Sequence, residues 1–152
     1  MSLVKKYMMR TLNSVCANEN VAEVIKLMYK IEASVLPVVD KDNKFLGTIY
    51  SENILKNVIP EQYGVLKVHK LLPEVNQAVQ NLQEIKSREI KEYMSPTKIA
   101  IRETDSMNNV AEIMLENEES RLYVVNHEEK LRGYISRADL LCYLLEMEEV
   151  EK

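Results

Sequence analysis

The sequence predicts an α/β (α+β) protein built from two tandem β-α-β-β-α units. Three observations lead there. The chain repeats itself at a fixed offset, each copy alternates a helical apolar stripe with short β-branched runs, and a segment without a counterpart separates the copies. Sliding the chain against itself aligns YMMRTLNSV from Tyr7 with YMSPTKIAI from Tyr93, with no gap as far as Leu55 and Leu141. Identities along that register include Met8/Met94, Thr11/Thr97, Val24/Val110, Met28/Met114, Ser34/Ser120, Leu36/Leu122, Val38/Val124, Gly47/Gly133 and Ile49/Ile135. A register this long without a gap marks a tandem duplication.

Each copy opens with a short strand, expected at Ser14–Ala17 and Ala100–Glu103. Val21, Val24, Ile25 and Met28 then recur at i, i+3, i+4 and i+7, as do Met107, Val110, Ala111 and Met114, which gives one apolar helical stripe per copy. Asn20 and the Thr104-Asp105-Ser106 cluster supply the N-caps. The β-branched runs LPVV (36–39) and LYVV (122–125) predict buried strands. DKDNK and NHEEK predict the turns that follow. FLGTI and LRGYI return as strands, with Gly47 and Gly133 placed where backbone approaches closely or bends. ILKNVI and LLCYLL begin the closing helices.

The copies are bounded at 1–59 and 92–152, with an unrepeated segment at 60–91. Pro60-Glu61 and Pro73-Glu74 read as helix starts, and Val75, Ala78, Val79 and Leu82 as a helical stripe prolonged by Ile85. Residues 60–91 are therefore expected to form a helical insertion packed on the copies. A unit this small cannot bury a good core alone. The copies are expected to pack sheet to sheet about a pseudo-two-fold axis, lining clefts with residues from both.

Composition narrows the function. The chain is 46% hydrophobic and 29% charged, as a soluble globular protein is. No apolar run approaches the roughly 18 residues of a membrane span, and the start does not read as a secretory signal. Cys16 and Cys142 have no metal-type or redox spacing, so a cytoplasmic protein is expected. A net charge of −4 argues against nucleic acid, whose phosphates need Lys and Arg. With three glycines in all, the chain lacks the Gly-rich loops that cradle phosphates. No base stands beside either cysteine or any serine in sequence, and His69 and His127 belong to no constellation. An enzyme is not expected, nor a metal or a required cofactor.

The β-α-β-β-α unit, with PVVD in the first copy (YVVN in the second) followed in both by G-x-I-x-x-x-[DN]-[IL], resembles the cystathionine-β-synthase (CBS) domain, and the tandem resembles a CBS-domain pair. The resemblance covers the chain outside the insertion. It implies a regulatory module that binds adenosine-containing ligands (AMP, ADP, ATP or S-adenosylmethionine) in the clefts and alters a partner interaction. It further implies that Asp139, three residues after Ser136, holds the ribose hydroxyls, and that Ser120-Arg121 meets phosphate. Adenine is placed against Met94, Thr97 and Ile99, with Ile135 as an apolar wall. In the first copy, Tyr50 and Asn53 stand where Ser136 and Asp139 do, and Ser34-Val35 lacks the cation. Asn13, Ser34, Tyr50 and Asn53 are thus assigned to a second, weaker cleft. The resemblance also implies a homodimer formed through helices, for which Leu140, Leu141, Leu144 and Leu145 exceed what one helix face can bury.

Local chemistry offers plainer readings beside these. Ser136-x-x-Asp139 is also a capping box, compatible with a ligand because a cap leaves one carboxylate oxygen free. Arg121 could pair with Glu118 or Glu119 on the surface. Asn53 could cap its helix, and Tyr50 could fill its own cleft. Two classes of function follow: a ligand sensor, or a structural dimerisation and docking module with vestigial clefts.

Overall fold

The computed structural model describes residues 2–59, 71–95 and 99–151. Thr97, His69 and the Pro60-Glu61 helix start lie outside them. The described elements are α1 (Val4–Tyr7), β1 (Val15–Cys16), α2 (Val21–Ile31), β2 (Val35–Val39), β3 (Phe45–Tyr50), α3 (Ser51–Val58) and α4 (Leu71–Ile85). A 3-10 turn (Ile90–Glu92), β4 (Ala100–Arg102), α5 (Met107–Asn117), β5 (Arg121–Val125), β6 (Leu131–Ser136) and α6 (Arg137–Glu151) follow. Each copy therefore forms the expected β-α-β-β-α unit. The sheets run β1-β2-β3 and β4-β5-β6, and in each the first two strands are parallel across a helical crossover.

Backbone detail repeats with the sequence. Asn20 accepts from the Glu23 N–H at 2.8 Å, and Ser106 Oγ from the Asn109 N–H at 3.2 Å, so both stripe helices carry the expected cap. Both helices end on a left-handed glutamate, Glu32 (φ 56°) and Glu118 (φ 54°), and both hairpins turn through a left-handed residue, Asn43 (φ 65°) and Glu129 (φ 67°).

The compact units differ from the sequence copies in the lead segments and in the 41–45 turn. Residues Ser14–Asp40 and Leu46–Lys98 form one, the first-copy unit; Met1–Asn13, Lys41–Phe45 and Ile99–Lys152 form the other, the second-copy unit. The segment leading into each copy thus belongs to the unit of the other copy. Val4, with no exposed surface, joins the core of Met8, Ile101, Met107, Val110, Met114, Leu122, Val124 and Ile135. Ile90, its repeat equivalent and equally buried, joins the core of Val15, Val21, Val24, Met28, Leu36, Val38, Ile49 and Ile54. Backbone bonds fix both leads. Met9 and Tyr134 exchange N–H···O bonds of 2.8 and 2.9 Å, and the Ser95 N–H reaches the Thr48 carbonyl at 2.8 Å. The 41–45 turn is held in the second-copy unit by the Asn43 and Glu129 carbonyls, which accept from Leu131 and Phe45 at 3.0 Å each.

The end of the insertion closes the first core. Ile85 is buried there and Ala78 and Leu82 pack against it, whereas Val75 and Val79 are exposed. The inward stripe of α4 is thus 78-82-85, whose spacings of four and three bring the three residues onto one face. Val79 falls outside it, and Val75 shares its direction but lies nearer the start of the helix, where it is exposed. In the second-copy unit, Tyr7 packs edge-on against Tyr143, with ring centroids 5.4 Å apart, and donates its hydroxyl to Glu146. That bond to an anion raises the phenol above its ordinary pKa.

The repeated glycines make the lead contacts possible. A Cβ at Gly133 would stand 2.1 Å from the Met9 carbonyl oxygen, and one at Gly47 would stand 3.1 Å from that of Ser95. Gly133→Ala must push the lead away, and is expected to cost about 3 kcal/mol, the upper part of the overpacking range. Urea denaturation midpoints check this. A Gly133→Ala protein as stable as wild type would show that the Met9 segment does not sit on β6.

Candidate functional site

Strand register builds the candidate site. In the antiparallel β5–β6 ladder Arg121 stands opposite Ser136, and Leu122 opposite Ile135. Side chains alternate across a strand, so Arg121, Ser136 and Tyr134 share one face, and Leu122 and Ile135 share the other. Leu122 and Ile135 are almost wholly buried in the second core. The expectation that Ile135 walls a ligand is therefore corrected: the pleat turns its side chain into the core.

Ser136 ends β6 and α6 begins at the next residue. Its backbone N–H and hydroxyl donate to Asp139 Oδ2 at 2.8 and 3.0 Å, and its Oγ accepts from the Asp139 N–H at 3.3 Å. The capping box is formed, and Asp139 Oδ1 receives no hydrogen bond from the described residues. Ser120 is exposed, and its carbonyl accepts from the Arg137 N–H at 3.1 Å, which holds the start of β5 to the start of α6. Arg121 makes no ion pair among the described residues. Its guanidinium lies over the Tyr134 ring, 4.0 Å from the centroid. The surface pairing with Glu118 or Glu119 does not form. Instead, the Glu118 carbonyl accepts from Arg137 Nη2 at 3.2 Å.

One end of this sheet therefore gathers Ser120, Arg121, Ser136 and Asp139. It presents a cation free of carboxylates, an acceptor oxygen free of donors, and an exposed hydroxyl. Such a set can accept from a diol and donate to an anion, and an arginine fork matches phosphate oxygens two at a time. Tyr134 is the member that sequence reasoning missed. Its signal was the period of two that puts it on the face of Ser136.

The residues expected at the base divide differently. Ile99 is partly buried against the second core. Met94 belongs to the first-copy unit, where it packs against the first core and its Sδ lies 3.7 Å from the position of a Gly47 Cβ. The structure groups it with β3, apart from the unit of Ser136 and Asp139, because its lead segment bonds to Thr48. The residue at its place in the second-copy unit is Met8, which is buried.

The first-copy set is poorer. Ser34 is exposed, and its carbonyl accepts from the Ser51 N–H at 2.9 Å, as Ser120 does from Arg137. Tyr50 occupies the N-cap of α3 without a side-chain capping bond. Asn53 does not cap either: its Nδ2 donates to the Tyr93 carbonyl at 3.4 Å. Asn13 is exposed and belongs to the second-copy unit, so the unit of Ser34, Tyr50 and Asn53 does not include it. Val35 and Thr48 stand where the second copy has Arg121 and Tyr134. None of the four residues assigned here carries a carboxyl, amine or guanidine group. A depression of about 600 Å³ beside Ser34 and Ser51 is lined by Lys30 and Glu32, with charges of both signs.

Among the described residues, no three His, Cys, Asp or Glu side chains cluster as metal ligands, and no helix is long and apolar enough to cross a membrane. Cys16 and Cys142 are free thiols.

Comparison with known proteins agrees with this architecture. The family model described as CBS domain matches twice, over residues 4–60 and 90–146. The uncharacterized protein MJ1426 of Methanocaldococcus jannaschii is 25% identical over 139 residues, which cover 84% of this chain and 83% of that protein. The chloroplastic CBS domain-containing protein CBSX1 of Arabidopsis thaliana is 26% identical, over 84% of this chain and 56% of its own length. Among solved structures, the CBS-pair protein CBSX2 of Arabidopsis thaliana superposes with a TM-score of 0.75 at 19% identity, covering 97% of each chain. CBSX2 in complex with AMP gives a TM-score of 0.70 at 19% identity, covering 97% of this chain and 99% of that one.

Proposed function

The chain belongs to the CBS domain family, and we propose that it is a regulatory module whose second copy binds an adenosine-containing ligand and thereby alters a contact with another protein. One observation carries this reading: Asp139 Oδ1, which accepts no hydrogen bond from the described residues, and the Arg121 cation, which pairs with none of their carboxylates, stand at the same end of one sheet. A ribose diol donates two hydrogen bonds and a carboxylate can only accept, so the pair is complementary. Bonds to a charged group contribute about 1.5–3 kcal/mol each. Arg121 takes the phosphate, Ser120 and the amides at the start of α6 assist it, and the base is left to apolar neighbours such as Ile99. CBSX2, of the same fold, has been solved with AMP, which makes AMP the first ligand to try, followed by ADP, ATP and S-adenosylmethionine.

Regulation needs more than binding. The ligand must have different affinities for two arrangements of the module, and only that difference can be passed to a client protein. No catalytic step, metal or nucleic acid enters the proposal, and the free thiols suit a cytoplasmic setting.

A second reading, a dimerisation and docking module, is favoured by α6. Leu140 and Tyr143 pack inward, while Leu141, Leu144 and Leu145 are 61%, 49% and 64% exposed. Leu115 on α5 is 80% exposed. A surface this apolar calls for a partner, and a homodimer through these helices covers it. The two readings are compatible, since a sensor can also be a dimer.

A thermal shift series separates them. A ligand that binds only the folded chain stabilises it by mass action, by about 2.7 kcal/mol at a hundredfold excess over Kd. At least one of AMP, ADP, ATP and S-adenosylmethionine is expected to raise Tm by several degrees. Asp139→Asn keeps an oxygen for Ser136, so its ligand-free Tm should stay near wild type while the ligand shift is largely lost. A wild-type shift that survives in Asp139→Asn, or no shift with any of the four, contradicts the sensor reading. For the dimer, light scattering at micromolar concentration is expected to give twice the chain mass, and a monomer mass refutes it.

A further inference from the structure

The second-copy sheet end contains a contact that no ribose or phosphate role requires, the stacking of Arg121 on Tyr134. We infer that Tyr134 is a positioning residue for Arg121, and that through it the site takes phosphorylated adenosine ligands in preference to adenosine or S-adenosylmethionine. This rests on the proposed ligand role of Ser120, Arg121, Ser136 and Asp139.

The geometry follows from register. Arg121 faces Ser136 across the ladder, and Tyr134 lies two residues before Ser136 on the same face. Such a diagonal neighbour is about 7–8 Å away along the sheet, within reach of a long and an aromatic side chain. The guanidinium carbon stands 4.0 Å from the ring centroid, which is stacking contact. A stacked guanidinium uses its face and leaves its in-plane N–H groups unspent, whereas a carboxylate partner would have occupied them. Among the described residues no carboxylate does so: Glu103 is taken by Arg132 and Arg10, and Glu129 by Arg102. Tyr134 itself is fixed at both ends of its peptide, through the Met9 N–H and carbonyl. The backbone that carries the ring is therefore held, and an arginine resting on the ring loses less freedom when an anion arrives.

Ligand class follows from the charge. A phosphate monoester fills the open fork with up to two negative charges, adenosine offers it nothing, and S-adenosylmethionine offers one carboxylate whose charge is offset by its own sulfonium and ammonium. The first copy replaces both members of the pair, with Val35 and Thr48, so support and cation are lost together there.

Calorimetric titration of AMP, adenosine and S-adenosylmethionine into wild type, Tyr134→Phe, Tyr134→Thr and Arg121→Lys tests this. Tyr134→Thr installs the residue the first copy carries at this strand position, and Tyr134→Phe keeps the ring. Wild type and Tyr134→Phe are expected to prefer AMP over adenosine by about tenfold or more. Tyr134→Thr and Arg121→Lys should weaken AMP by about three- to thirtyfold, the range of a cation–π contact, and leave adenosine within about twofold of wild type. An AMP preference that is intact in Tyr134→Thr overturns the positioning role. Should that variant not fold, an intact preference in Arg121→Lys overturns it equally, since a lysine cannot stack flat or offer a fork. S-adenosylmethionine binding wild type as tightly as AMP overturns the ligand class while the ligand site stands. Wild type binding none of the three overturns the site itself.

Discussion

Arg121 and Ser136 stand opposite one another in the β5–β6 ladder, and the chemistry proposed for this chain depends on that register. A slip of one residue would turn Arg121, Tyr134 and Ser136 toward the core and bring Leu122 and Ile135 to the surface. Burial of Leu122 and Ile135 among Val4, Ile101, Met107 and Val110 therefore holds the polar residues in place. Ser136 is at once the last residue of β6 and the cap of α6. The orientation of Asp139 is thus set by the same ladder that sets Arg121. The face of Leu122 and Ile135 stabilises, and the polar end of the other face, beyond the buried Tyr123 and Val125, is left for recognition.

The duplication produces two such frames and equips one. Helix caps, left-handed glutamates, hairpin turns and close-approach glycines recur in both copies. The ionised pair does not. Asn53, where the second copy has Asp139, spends its amide on the Tyr93 carbonyl. Tyr50, where the second copy has Ser136, provides no cap. The first copy keeps the scaffold and carries a neutral set at the corresponding end. Each unit is also completed by the lead segment of the other copy, with Val4 and Ile90 as equivalent plugs. The two halves of the chain are therefore interdependent for their cores.

Much of this was legible in the sequence, for identifiable reasons. The stripe helices, their caps and the buried strands followed from periods of 3.6 and 2 and from side chains that act locally. Gly47 and Gly133 announced a close backbone approach because a strand rarely keeps glycine otherwise. What approaches them was not legible, since the bonds to Met9 and Ser95 are long-range. For that reason the unit that Met94 joins could not be read from the sequence. Ile135 was misplaced because a motif in one dimension does not say which face of a strand it reads, whereas the ladder does. Val75 and Val79 joined the stripe of α4 because spacing alone does not say where along and around a helix burial ends. Tyr134 went unnoticed because its role exists only through a cross-strand neighbour.

The central claim is that one copy, and only one, presents a charge-complementary site for a nucleotide. Calorimetric stoichiometry of AMP binding to the wild-type chain tests it most directly. The structure-based account predicts a single site per chain. Two equivalent sites would mean that the charges at Arg121 and Asp139 do not decide binding, and an absence of binding heat at any AMP concentration would leave the second copy without its proposed ligand.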